Sequence, residues 1–219
     1  MIVINIESNL KDVKERIRKA AIKVNRDPDE IKLIAVTKTF PLDFINEAIK
    51  LGISSVGETK LQEAKKKFEE IGKKVEWHMI GHLQSNKVKE AVEIFDFIHT
   101  VDRMKIARKI SDRCLELNKK MSILVQIDST GDKFGIKPEE TIEFVNEIKK
   151  LDGIKVEGLM TIAPYIEPEK TRPYFKNLKE LSLICKLKHL SMGMSNDFEV
   201  AIEEGATMVR IGTAIFGKR

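Results

Sequence analysis

The fold class predicted by this sequence is α/β: a single (β/α)8 TIM-like barrel carrying an extra N-terminal helix. Eight short strand-like segments recur along the chain, helical patterns fill intervals between them, and one amphipathic helix precedes the first strand. Parallel strands need crossover connections, and helices supply them while covering the sheet. Eight such units fit a closed barrel better than an open doubly wound sheet, which is the alternative architecture.

The elements follow in order. Residues 6–24 place Ile6, Leu10, Val13, Ile17, Ala20, Ala21 and Val24 at spacings of three and four, which makes one apolar helical face. Strand-like segments then fall at 31–37, 53–57, 75–80, 95–101, 122–128, 154–160, 188–193 and 207–211. Helical patterns occupy 41–52, 59–72, 101–118 and 137–153, most ended by Gly or Asn, the residues a helix C-cap favours. The last strand ends eight residues before Arg219, too few for a full eighth helix, and the N-terminal helix is expected to fill that gap. With no internal repeat, low-complexity tract or linker, residues 1–219 read as one barrel domain.

Hydrophobic residues at 42% and charged residues at 33% describe a soluble globule. No apolar run approaches the roughly 18 to 20 residues that cross a bilayer, and the start of the chain lacks a basic, apolar leader, so a cytoplasmic protein without membrane attachment is expected. Two cysteines, Cys114 and Cys185, have no metal-ligand or redox spacing and read as buried thiols; no disulfide and no metal site is expected. A net charge of +5 raises the question of nucleic acid. The short lysine runs, Lys65 to Lys67 among them, are mixed with glutamates and read as solvated helix faces, and no aromatic stripe accompanies them. No nucleic-acid partner is expected, and the chain is expected to be a monomer.

In this architecture function collects at the C-terminal ends of the strands. Lys38 follows the apolar strand LIAV directly, so the strand carries it toward the barrel mouth. Burial there disfavours the ammonium and leaves a neutral amine able to attack an aldehyde. On position alone, a lysine snorkelling to solvent is the plainer reading. The ends of the seventh and eighth strands change it, because barrels often bind phosphate in those two loops. Gly193, Ser195, Gly212 and Thr213 are small enough for backbone amides to approach phosphate oxygens, and Asn196-Asp197 is expected to begin a helix that adds positive potential. Gly and Ser also serve ordinary turns, but both loops together favour phosphate. A phosphate cup beside an amine implies a phosphorylated aldehyde, of which pyridoxal 5′-phosphate is the commonest, and Arg210 sits where it can face a ring nitrogen.

Six motifs carry a resemblance: LIAVTK (33–38), WHMIGHLQSNK (77–87), HTVDR (99–103), GLMTIAP (158–164), LSMGMSND (190–197) and VRIGTAIFG (209–217). Together they resemble the pyridoxal phosphate homeostasis protein family, which is similar to the barrel domain of alanine racemase. The resemblance implies pyridoxal 5′-phosphate as cofactor, with Lys38 its Schiff-base lysine, Arg210 beside the pyridine nitrogen, and Ser195, Gly212 and Thr213 on the phosphate. The family usually reads Gly-Glu-Asn where this chain has Gly57-Glu58-Thr59. The asparagine ordinarily approaches the phenolic oxygen; Thr59 is shorter but keeps a hydroxyl donor. His78 is expected to line the site, whereas His99 and His189 read as hydrogen-bonded structural histidines and Tyr165 as packing its ring on the barrel rim.

Racemisation needs a base on each face of a planar intermediate, and Lys38 serves only one. The resemblance implies that alanine racemase takes its opposing tyrosine from a second domain, while this chain ends at the barrel. A permanently charged arginine beside the pyridine nitrogen also disfavours the protonated ring, the stronger electron sink. No catalytic residue is therefore assigned, and the expected role is intracellular vitamin B6 homeostasis, holding the cofactor, with apoenzymes that depend on it as expected partners. A weak racemase-like enzyme is the alternative, and an aldolase using Lys38 on a sugar phosphate is a third reading.

Overall fold

The structure is a computed structural model that describes residues 4–131 and 134–217. Its elements are α1 (Ile6–Lys23), β1 (Lys32–Val36), α2 (Leu42–Lys50), β2 (Ser55–Glu58), α3 (Leu61–Ile71), β3 (Glu76–Met79), α4 (Val88–Ile94), β4 (Phe97–Val101), α5 (Met104–Glu116) and β5 (Met121–Gln126), then α6 (Thr141–Ile148), β6 (Ile154–Met160), α7 (Arg172–Ile184), β7 (His189–Met194), α8 (Phe198–Glu203), β8 (Met208–Ile211) and α9 (Thr213–Phe216). The strands close into a parallel barrel in chain order, β8 pairing with β1 through Leu33 opposite Val209 and Ile34 opposite Arg210. All eight strands overlap their predicted segments, with no boundary displaced by more than two residues.

Alternation divides each strand between two environments. Outward residues such as Ala35, Val56, Trp77 and Ile98 pack under the helices in the main core. Inward residues fill the barrel: Ile34, Leu124, Met160 and Met208 form a separate buried cluster with Phe97 against it.

Helix α1 does the work of an eighth outer helix, since α8 has six residues and α9 four. It starts where Asn5 Oδ1 accepts the Ser8 N–H at 2.8 Å and buries Ile6, Leu10, Val13, Ile17, Ala20 and Ala21. Asn9 Nδ2 donates to the Ile215 carbonyl at 2.9 Å. The Arg16 guanidinium makes a fork with Glu199 at 3.1 and 2.8 Å and lies over the Phe198 ring. One end of the chain thereby seals the other.

The seventh strand has a bulge that matters for the site. Its register against β8 shifts between Ser191 and Met194, where Gly193 has φ +89°. A Cβ on Gly193 would lie 2.6 Å from the Ala201 Cβ and 2.9 Å from the Phe198 Cα, so only glycine allows both the left-handed turn and the approach of α8. Packing and the left-handed turn thus give Gly193 a structural reason of their own. The bulge also re-aims the next residues, bringing Ser195 against the loop after β8.

Candidate functional site

The C-terminal strand ends surround a cavity of about 590 Å3, within the range of small-molecule sites. Six of the residues expected to hold the cofactor border it: Lys38, Thr59, Ser195, Arg210, Gly212 and Thr213. Lys38 is half-buried, and Thr213 is exposed at the first position of α9.

Ser195 organises one wall. Its Oγ accepts the Gly212 and Ala214 N–H groups, both at 3.3 Å. These bonds are long. Two amides converging on one oxygen are what a phosphate oxygen requires, and weak bonds to a hydroxyl are easily exchanged for stronger ones to an anion.

Arg210 forms the floor. It is buried, donating from Nη1 to Ser191 Oγ at 2.6 Å and from Nη2 to the Thr161 carbonyl at 2.8 Å. Burial pulls its pKa down to about 10 and the nearby Asp197 carboxylate opposes that fall, so the guanidinium remains charged at neutral pH. The cavity therefore combines an amine, an anion cup and a fixed cation, which fits a phosphorylated aldehyde with a ring nitrogen and fits pyridoxal 5′-phosphate in particular.

Comparison with known proteins decides the family. The model of the alanine racemase N-terminal domain matches residues 6–219. The pyridoxal phosphate homeostasis protein of Aquifex aeolicus is 43% identical over 225 residues, covering 98% of this chain and 99% of that one. That of Pseudomonas aeruginosa is 40% identical, covering 98% and 96%. The chain belongs to the pyridoxal phosphate homeostasis protein family. Among solved structures it is similar to PipY of Synechococcus elongatus with pyridoxal phosphate bound, at 33% identity and a TM-score of 0.85, over 97% of this chain and all of that one.

Within this family member, Lys38 is held by a buried cluster that sequence reasoning missed. Lys67 of α3 donates to the Thr37 carbonyl at 2.7 Å, to Glu58 Oε1 at 2.6 Å and to Glu63 Oε1 at 2.6 Å. Thr37 Oγ1 donates to Glu58 Oε1 at 2.6 Å, and the Thr39 amide donates to Glu63 Oε1. Thr39 has φ +66°, unusual for a β-branched residue. The backbone on either side of Lys38 is thus clamped to α3. Glu58 is fully buried, its Oε2 has no hydrogen-bond partner, and burial pushes its pKa up. The lysine run 65–67 is therefore not wholly a solvated face. Glu63 and Lys67 stand four residues apart, the helical pairing distance, and that spacing was the available signal.

Other expectations are corrected at this rim. His78 does not line the cavity: it lies in the barrel interior, one inward position below the lining residue Ile80, fully buried and stacked on Phe97. Helix α8 begins at Phe198, and Asp197 sits at its cap with its carboxylate accepting the Met194 N–H at 2.7 Å and no helix amide, so this end sets a carboxylate beside the first-turn amides. Tyr165 borders the cavity but is 86% exposed instead of packed on the rim. His99 and His189 do make hydrogen bonds, to Ser191 at 2.9 Å and Thr207 at 3.4 Å. Cys114 and Cys185 are buried, with thiol pKa values raised by that burial. No helix among the described residues is long and apolar enough to cross a membrane.

Proposed function

We propose that this chain binds pyridoxal 5′-phosphate at the C-terminal mouth of its barrel, on Lys38, and serves cofactor homeostasis without catalysing amino-acid chemistry. The observation that carries the reading is the placement of Lys38, Arg210 and the Ser195 amide cup around one cavity. The cofactor supplies an aldehyde that condenses with a neutral amine to a Schiff base. In this reading Lys38 provides that amine, Ser195, Gly212 and Thr213 take the phosphate, Arg210 faces the ring nitrogen, and the Thr59 hydroxyl replaces the asparagine amide of relatives. That PipY, 33% identical, holds pyridoxal phosphate supports the assignment.

Arg210 also supports storage over turnover. A guanidinium fixed by Ser191 and Thr161 does not give up a proton to the ring, so the ring stays the weaker electron sink. The unmodified protein is expected to exchange the α-hydrogen of alanine for solvent deuterium no faster than free pyridoxal 5′-phosphate, measured by proton NMR. A racemase reading has one residue in its favour, the Tyr165 phenol at the mouth. Exchange well above the free-cofactor rate, lost in both Lys38→Ala and Tyr165→Phe, would establish that reading and displace storage.

Thr213 offers a test of the phosphate end. A hydrogen bond to a charged group contributes about 1.5–3 kcal/mol. Thr213→Ala, which removes only the hydroxyl, is expected to weaken cofactor binding about 10- to 100-fold. Unchanged affinity in equilibrium dialysis removes Thr213 from the site.

A further inference from the structure

A chain of buried polar side chains runs through the barrel from one mouth to the other. Arg210 borders the C-terminal cavity, while Lys32 borders a second cavity of about 340 Å3 at the N-terminal mouth. Between them, Arg210 Nη1 meets Ser191 Oγ at 2.6 Å, Ser191 Oγ meets His99 Nδ1 at 2.9 Å, His99 Nε2 meets His78 Nδ1 at 2.9 Å, and His78 Nε2 meets Glu76 Oε2 at 2.8 Å. Lys32 closes the far end on the same Glu76 oxygen, which also accepts from Ser55 Oγ at 3.3 Å. Ser191, His99 and His78 are buried completely.

The two ends dictate the direction of every bond between them. A guanidinium only donates and a carboxylate only accepts. Ser191 therefore receives from Arg210 and passes its own proton toward His99 Nδ1; His99 donates from Nε2 to His78 Nδ1, and His78 donates from Nε2 to Glu76. The opposite arrangement puts two acceptors face to face at Glu76 unless His78 carries a full positive charge. Burial pushes the pKa of His78 down and that of His99 further down, which disfavours that charge, while Glu76 is held at about 2 by His78 and Lys32 against its own burial. Every dipole along the chain then presents its negative end to Arg210. Such aligned bonds polarise one another in a low dielectric and offset the cost of burying the guanidinium.

We propose that Ser191, His99, His78 and Glu76 are positioning residues for the cofactor site, a one-directional hydrogen-bond chain that holds Arg210 as a fixed cationic donor from the opposite end of the barrel. The proposal rests on reading the C-terminal cavity as the pyridoxal phosphate site. In this architecture the N-terminal face ordinarily serves stability. Here the acidic residue of that face contributes to the electrostatics of the ligand face.

The test has two readouts. In the protein without cofactor, long-range proton–nitrogen NMR of labelled histidines is expected to show both His78 and His99 as Nε2–H tautomers. With pyridoxal 5′-phosphate added, Glu76→Gln and Ser191→Ala are expected to shift the absorbance band of the bound cofactor and weaken binding about 3- to 30-fold, while Glu76→Asp restores both the band and the His78 tautomer. An Nδ1–H tautomer at His99 in the unmodified protein overturns the proposal, and decides the matter even if Ser191→Ala fails to fold. A normal band that no variant moves, in folded protein, overturns the positioning role alone. If the unmodified protein binds no pyridoxal 5′-phosphate, the cofactor reading falls and the positioning role falls with it.

Discussion

Lys38→Ala is expected to abolish borohydride-stable attachment of pyridoxal 5′-phosphate. In the unmodified protein, reduction followed by peptide mass analysis is expected to place the adduct on the peptide that contains Lys38, whereas the variant carries none. Thr37 and Thr39, both tied to the Lys67 cluster, fix the direction of the intervening side chain into the cavity. The proposed anion cup of Ser195, Gly212 and Ala214 lies on other strand ends, so noncovalent binding is expected to survive in part. An adduct of undiminished yield on another lysine defeats the assignment.

Lys67→Met is expected to cost stability heavily, about 3–5 kcal/mol in chemical denaturation. The substitution nearly keeps the length of the side chain but leaves the Glu58 carboxylate in the protein interior without its cation, and also removes the cation from Glu63, which holds the Thr39 amide. The pH dependence gives a second check. Burial already raises the Glu58 pKa above its ordinary value of 4.5. A raised acid binds its proton more tightly in the folded state, so its contribution to stability is fully present below 4.5 and is lost as pH rises through the folded pKa. Removing Lys67 raises that pKa further, so the deficit of the variant is expected to shrink in acid, and Glu58→Gln added to Lys67→Met is expected to recover part of it at neutral pH. A variant as stable as the original at pH 7 contradicts the role given to the cluster.

Much of this molecule is legible along the chain for a simple reason: parallel strands are buried on both faces, so Leu33 to Val36 or Ile123 to Val125 stand out as continuous apolar runs between amphipathic helices. Lys38 and Arg210 are legible because charged residues at the end of such runs break the pattern. What escapes is whatever depends on which side of a strand or helix a polar residue faces. His78 lies at a strand end, as a lining residue would, but alternation turns it inward below Ile80. Lys67 looks like its neighbours Lys65 and Lys66 until one helical turn brings it over Glu58. Gly193 reads in sequence as a phosphate loop, and the bulge that also requires it is visible only in its distance to Ala201.

The contact of α1 with α8 and α9 bears on how the molecule assembles. Asn9 meets Ile215 across 206 positions of sequence, and Arg16 meets Glu199 across 183. During synthesis α1 emerges well before its partners, so its face of Ile6, Leu10, Val13 and Ile17 waits uncovered while the intervening strands are made. Contacts of such long range slow folding, because the closure entropy of the whole chain is met before they form. The closing of the ring is thus expected to be a late kinetic step, and until it occurs a nascent chain presents a sticky helix that a chaperone can shield.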